Sequence, residues 1–168
     1  MASNNSVSYS VEVDGKQLAK VVSALKREAD GKQLARDLVK ELRVIGQPAL
    51  LAVRRSILSM DSHSEVTPGL RASTARATRL SVRSTGKRAG ISIYTSKSGM
   101  PRGFKTAPKH LNAVRGWRHP VFGTDRWVAQ VGKPGWFDDT LKPFKEPAKK
   151  AAGRVLQAAA RRISVRSK

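Results

Sequence analysis

Trp117-Arg118-His119-Pro120-Val121-Phe122-Gly123, continued after a short gap by Trp127-Val128-Ala129-Gln130, is the stretch from which the fold is read. The chain has three Trp and four Phe, and Trp117, Phe122, Trp127, Trp136 and Phe137 all fall in this region. Large aromatics bury much area and pack with specific geometry, so the core is expected to be pinned here, with Trp127 buried. Val121 and Phe122 read as a short strand. Pro120 lacks an N–H and belongs at a strand start or on an edge. Gly123-Thr124-Asp125-Arg126 supplies turn chemistry. Trp127, Ala129 and Val131 then alternate with Val128, Gln130 and Gly132, as a returning strand would. The pattern predicts a tight hairpin. Arg118 has two open roles, an ion pair with Asp125 across the turn or donation to backbone carbonyls.

Upstream, Ser96 to His110 contains Gly99, Pro101, Gly103 and Pro108 and shows no periodicity. It also carries Lys97, Arg102, Lys105 and Lys109. A long segment without regular pattern is usually functional or mobile, so a flexible basic loop is expected over about 96–110. Before it, Leu80 and Val82, then Ile91 and Ile93, alternate with polar residues and predict a second hairpin. Its connection holds Lys87 and Arg88. Arg71 to Thr78 is small and basic, a candidate helical turn. Leu34, Leu38, Leu42, Ile45, Ala49, Val53, Ile57 and Met60 recur every three or four residues, the mark of one long helix with a buried face. Pro48 is expected to kink or break it. Leu50, Leu51 and Leu58 lie off the main stripe and are candidates for a second core surface or a subunit interface.

Asp14-Gly15-Lys16-Gln17-Leu18-Ala19-Lys20 is echoed by Asp30-Gly31-Lys32-Gln33-Leu34-Ala35-Arg36, which reads as two helix starts with the same caps. Val7, Tyr9, Val11 and Val13 predict a first strand by their period of two. Downstream of the aromatic hairpin, Asp138, Asp139 and Thr140 mark a helix start. Pro143 and Pro147 suit a first helical turn. Phe144, Ala148, Ala151, Ala152, Val155, Leu156, Ala159 and Ile163 form the stripe of a C-terminal helix, its Ala content implying close approach to a neighbour. A basic tail follows at about 164–168. The whole is read as one α+β domain over 1–168: a mainly antiparallel sheet, a long N-terminal helical segment and a C-terminal helix packed on it.

The charge is large and uneven. Of the net +21, residues 1–67 contribute +2 and residues 68–168 contribute +19. From Val66 to Thr124 there are 12 Lys/Arg and no acid. Such asymmetry points to a polyanion, most often nucleic acid, or to an acidic protein partner. The absence of Cys excludes disulfides and Cys-ligated zinc. No run approaches the ~18 apolar residues of a membrane span. Met1-Ala2-Ser3-Asn4-Asn5-Ser6 has neither the basic nor the apolar region of a signal peptide, so assembly in the cytoplasm is expected.

Candidate chemistry is sparse. His63, His110 and His119 are far apart and lack partners at metal-ligand spacing. His119, before Pro120, is read as a structural hydrogen-bonding residue. Asp138 and Asp139 are adjacent, as caps are. No nucleophile elbow, phosphate loop or dinucleotide fingerprint occurs. The expectation is a non-enzyme without catalytic residues, metal or cofactor.

Arg118-His119-Pro120-Val121-Phe122-Gly123 with Trp127-Val128-x-Gln130 resembles the signature of tailed-bacteriophage tail-completion proteins, small minor tail or neck proteins of the head–tail joint. The likeness is sharp from Trp117 to Gln130, looser in the C-terminal helix and weak before Thr67. It implies an α+β fold and a homo-oligomeric ring, commonly a hexamer. That ring joins the head connector to the tail-tube or tail-terminator proteins, with genomic double-stranded DNA in its lumen. On that expectation Lys87, Arg88 and the cations of 96–110 face the DNA channel, and Leu50, Leu51 and Leu58 supply subunit contact. The alternative from the residues is a free, sequence-independent nucleic-acid-binding protein.

Overall fold

The computed structural model describes residues 8–12, 31–60, 69–84, 90–120 and 125–166. In chain order its elements are β1 (Ser8–Glu12), α1 (Gly31–Leu58), α2 (Gly69–Ala77), β2 (Thr78–Arg83), β3 (Gly90–Thr95), a 3-10 turn (Lys97–Gly99) and α3 (Ala107–Asn112). Then come β4 (Trp117–Pro120), β5 (Trp127–Gln130), α4 (Asp138–Leu141), a second 3-10 turn (Lys142–Phe144) and α5 (Lys145–Arg166). The architecture is α+β, with a long helix, antiparallel sheets and a C-terminal helix packed on it. The predicted first helix from Asp14 lies outside the described residues, as do residues 61–68 of the polar stretch expected from Asp61 to Gly69, whose last residue opens α2.

The strands form two sheets. One has the order β1-β3-β2, and the other pairs β4 with β5 alone. The aromatic hairpin therefore stands apart from the main sheet, correcting the expectation of one sheet that holds every strand. Its first arm is Trp117–Pro120, upstream of the expected Val121 and Phe122. Residues 121–124, Phe122 and Gly123 among them, lie outside the described residues. Pro120 ends β4 opposite Trp127. A two-stranded ladder consists of edges, which is where a residue without an N–H is tolerated.

Helix α1 runs unbroken through Pro48. Val44, Gln47, Pro48 and Leu51 are all exposed. The Val44 carbonyl that loses its partner to Pro48 thus lies on the solvent side, where a missing helical hydrogen bond is least costly.

The chain divides into two compact units by contact density. The first comprises Met1–Tyr9, Leu50–Arg79 and Tyr94–Lys142, and the second Ser10–Ala49, Leu80–Ile93 and Pro143–Lys168. In the second unit, Leu34, Leu38, Leu42 and Ala49 of α1 are buried together with Ile91 and Ile93. Ala148, Ala151, Ala152 and Ala159 form the buried face of α5, and their small volume permits close helix approach. Arg154 reaches Glu41 across these helices at 3.7 Å. Gly46 is needed for the same reason of space: a Cβ there would stand 2.8 Å from Leu80 Cδ1.

In the first unit the buried set is Leu50, Val53, Ile57, Met60, Met100, Leu111, Trp136, Phe137 and Leu141, with Ala75, Ala77 and Ala107. Trp136 and Phe137 meet edge to face at 5.3 Å. Thr74, Thr78 and Thr95 are buried polar residues, and each is satisfied. Thr74 Oγ1 donates to Leu70 O, Thr78 Oγ1 lies 2.7 Å from Thr74 O, and the Thr78 and Thr95 hydroxyls are 3.1 Å apart. Arg54 Nη2 donates to Thr78 O at 2.8 Å, tying α1 to the start of β2.

Candidate functional site

The hairpin β4–β5 and the segment leading into it form one structure within the first unit. The ladder pairs Trp117 with Gln130, Arg118 with Ala129 and His119 with Val128. Directly opposed residues share a face, so Trp117, His119, Val128 and Gln130 lie on one side, while Arg118 and Ala129 lie on the other with Trp127.

The first face is held in place. His119 Nε2 and Gln130 Oε1 are 3.0 Å apart, the structural bond expected of His119. The rings of Trp117 and His119 are 5.5 Å apart. Phe104 meets His119 edge-on at 5.6 Å, and His110 stacks on Trp117 at 5.4 Å. The segment 96–110 is therefore more regular than its composition implied. It folds into the Lys97–Gly99 turn and α3, and its Phe104 and His110 pack on the hairpin. Alternation with period two cannot reveal that partnership, because the two rings that build it come from outside the strands.

Two further contacts fix this segment. Asn112, closing α3, accepts the Phe137 N–H at Oδ1 (3.0 Å) and donates from Nδ2 to Asp138 (2.6 Å). Asn112 thereby caps the start of α4, a role the sequence reading gave to Asp138, Asp139 and Thr140. The Asn112 carbonyl accepts from Gly135 N at 3.1 Å, and Trp136 Nε1 donates to Pro108 O at 3.4 Å. Gly116 has φ +60°, and a Cβ on it would collide with the Gln130 carbonyl at the open end of the hairpin. That left-handed conformation with no room for a side chain requires glycine.

The second face is open. Trp127 is 56% exposed and Val131 66% exposed, correcting the expectation that Trp127 is core. Arg118 is exposed between them, and among the described residues it forms no ion pair with Asp125 or any other acid. The buried tryptophan is Trp136 instead, at 1%. The α1 residues named as candidate contacts divide. Leu51 and Leu58 are exposed at 49% and 52%, whereas Leu50, at 7%, is core. Leu50 falls within the helix's inward arc in the second half of α1, together with Val53 and Ile57, so its removal from the interface set follows from helical phase.

Of the basic residues, Arg102, Lys105 and Lys109 are exposed and Lys97 is half-buried. Lys87 and Arg88 lie outside the described residues. Among the described residues, ion pairs engage Lys142 with Asp139, Lys149 with Glu146 and Arg154 with Glu41. The hydrogen bond from Lys149, with its charge, holds the exposed Glu146 carboxyl below its ordinary range. No helix among the described residues is long and apolar enough to cross a membrane. No group of three or more His, Asp or Glu among them is placed to hold a metal ion. No family model, curated protein or solved structure matches the chain.

Proposed function

We propose that this chain is a structural protein of the tailed-phage neck. It assembles as a homo-oligomeric tail-completion ring, with a hexamer as the expected number, between the head connector and the tail tube. The observation that carries the reading is the open face of β4–β5. The motif stretch from Trp117 to Gln130 locks one face with a hydrogen bond and three ring contacts. It leaves Trp127 and Val131 in solvent beside Arg118. Trp and Arg are the residues that most often anchor protein interfaces, and a rigid backing lowers the entropy lost on binding. A two-stranded sheet with an exposed tryptophan is poorly stable by itself and gains most from being covered. Leu51 and Leu58 add exposed aliphatic surface in the same unit.

The net charge of +21 supports a position around genomic double-stranded DNA. Exposed Arg102, Lys105 and Lys109, with Lys97, Lys87 and Arg88, are the channel candidates. They would make sequence-independent contacts with phosphates. The role requires no catalytic residue, metal or cofactor, and it places the protein in the virion after assembly in the bacterial cytoplasm. The charge alone also fits a free nucleic-acid-binding protein. Light scattering on the purified chain separates the two. A closed ring of several subunits, reduced to monomer by Trp127→Ser, supports the neck reading. A monomer or dimer unaffected by that substitution favours the free binder.

A further inference from the structure

The second unit contains an open groove of about 670 Å³ along the N-terminal half of α1, reaching Ser84 at the end of β2. Its charged lining is Arg36, Lys40 and Arg43, with Gln47 and Ser84 as neutral donors and Ala35, Val39 and Val44 as its apolar floor; among the described residues no acid lines it. We propose that this groove is a sequence-independent binding site for the phosphate backbone of double-stranded DNA.

The helix sorts its charges. Arg36, Lys40, Arg43 and Gln47 recur at four, three and four residues, which places them in one row on the outer face. All four are exposed. The acids of α1 stand elsewhere: Glu41 faces Arg154 of α5, and Asp37 accepts from Gln33 Nε2 at 2.8 Å. Among the described residues no ion pair engages Arg36, Lys40 or Arg43. Arg36 and Arg43 thus line the groove away from the acids, whereas Lys40 stands between them and also borders the neighbouring groove lined by Asp37 and Glu41.

The row also has the length and donor set for a phosphate strand. From Arg36 to Gln47 the helix rises about 17 Å, enough for its donors to reach several phosphates of one strand. Gln and Ser side chains are frequent phosphate donors that carry no base information. Among the described residues no aromatic side chain lines the groove, so they offer no platform for stacking unpaired bases, which favours a duplex over a single strand. The proposal deepens the neck reading and rests on it only for the presence of DNA in the lumen.

The test uses the full-length chain and a 24-base-pair duplex of arbitrary sequence, with affinity measured by fluorescence anisotropy across a salt series. Each neutralised phosphate contributes about −0.9 to the log–log slope, so three contacts contribute about −2.7. The triple variant Arg36→Gln, Lys40→Gln, Arg43→Gln keeps good helix formers at exposed sites and should retain the wild-type circular dichroism. Its slope should be shallower by two to three units, about −0.9 for each cation removed, with the oligomeric mass unchanged. A single Arg43→Glu variant should weaken binding in the same direction. A wild-type slope in the triple variant overturns the proposal. So does a wild-type slope accompanied by lost binding of poly-glutamate, which assigns the groove to an acidic protein instead. Because mass and DNA slope are read separately, a wild-type chain that forms no ring while the triple variant still shows the slope change refutes the neck reading and leaves the groove standing.

Discussion

Replacing each of two tryptophans by alanine tests the packing directly. Trp136 is 1% exposed, meets Phe137 edge to face and donates to Pro108 O. Trp136→Ala removes a fully buried ring and leaves a cavity, at a cost of about 3–5 kcal/mol. For a chain of this size about 2–4 °C of melting temperature accompanies each kcal/mol, so a fall of about 6–20 °C is expected. Trp127 is 56% exposed, and most of its ring area is already in water. Trp127→Ala should cost the isolated subunit about 1–2 kcal/mol, from the covered part of the side chain alone. The assay is thermal unfolding followed by circular dichroism at two protein concentrations. Where copies associate through Trp127, the wild-type midpoint rises with concentration by mass action, and that of Trp127→Ala does not. A Trp127→Ala midpoint that falls as far as that of Trp136→Ala, at low concentration, would refute the assignment of an open hairpin face.

Other perturbations follow from local geometry. Asn112→Ala removes both the acceptor for Phe137 N–H and the donor to Asp138 and should destabilise by about 1–3 kcal/mol in urea unfolding. Gly116→Ala forces a side chain into a left-handed residue against the Gln130 carbonyl, so the amides of β4 and β5 should lose hydrogen-exchange protection before the rest of the chain. Lys149→Ser removes the hydrogen bond that lowers the Glu146 pKa, and carboxyl-detected NMR titration should show that pKa rising toward the ordinary value.

The helices were legible because their period reports burial directly. Of the predicted stripe, Leu34, Leu38, Leu42, Ala49, Val53, Ile57 and Met60 are buried and Ile45 is half-buried, and the Ala face of α5 is buried as its composition implied. The start of α4 at Asp138 and the 3-10 turn at Pro143 also follow from caps and proline. The hairpin was legible as a hairpin, but its inward face was not. Period two fixes which residues share a face, and a large apolar residue on each face leaves the choice of phase open. Gln130 turns inward because His119 satisfies it, a pairing eleven residues apart that no local pattern signals. The same holds for Ser96 to His110. Its Gly and Pro content predicted irregular chain, whereas Phe104 and His110 order it by packing on the hairpin. Pro48 misled for a third reason: a proline on the solvent side of a long helix removes one hydrogen bond without ending the helix.

The claim at the centre of this account is that the open hairpin face is a subunit contact in a phage neck ring. Cryo-electron microscopy of tailed particles assembled with this chain present tests it most directly. The account predicts a closed ring of this chain between connector and tail tube, with Trp127 and Val131 covered by a neighbouring subunit. A particle in which the chain is absent from the neck, or in which Trp127 and Val131 remain in solvent while the ring closes through other surfaces, would contradict it.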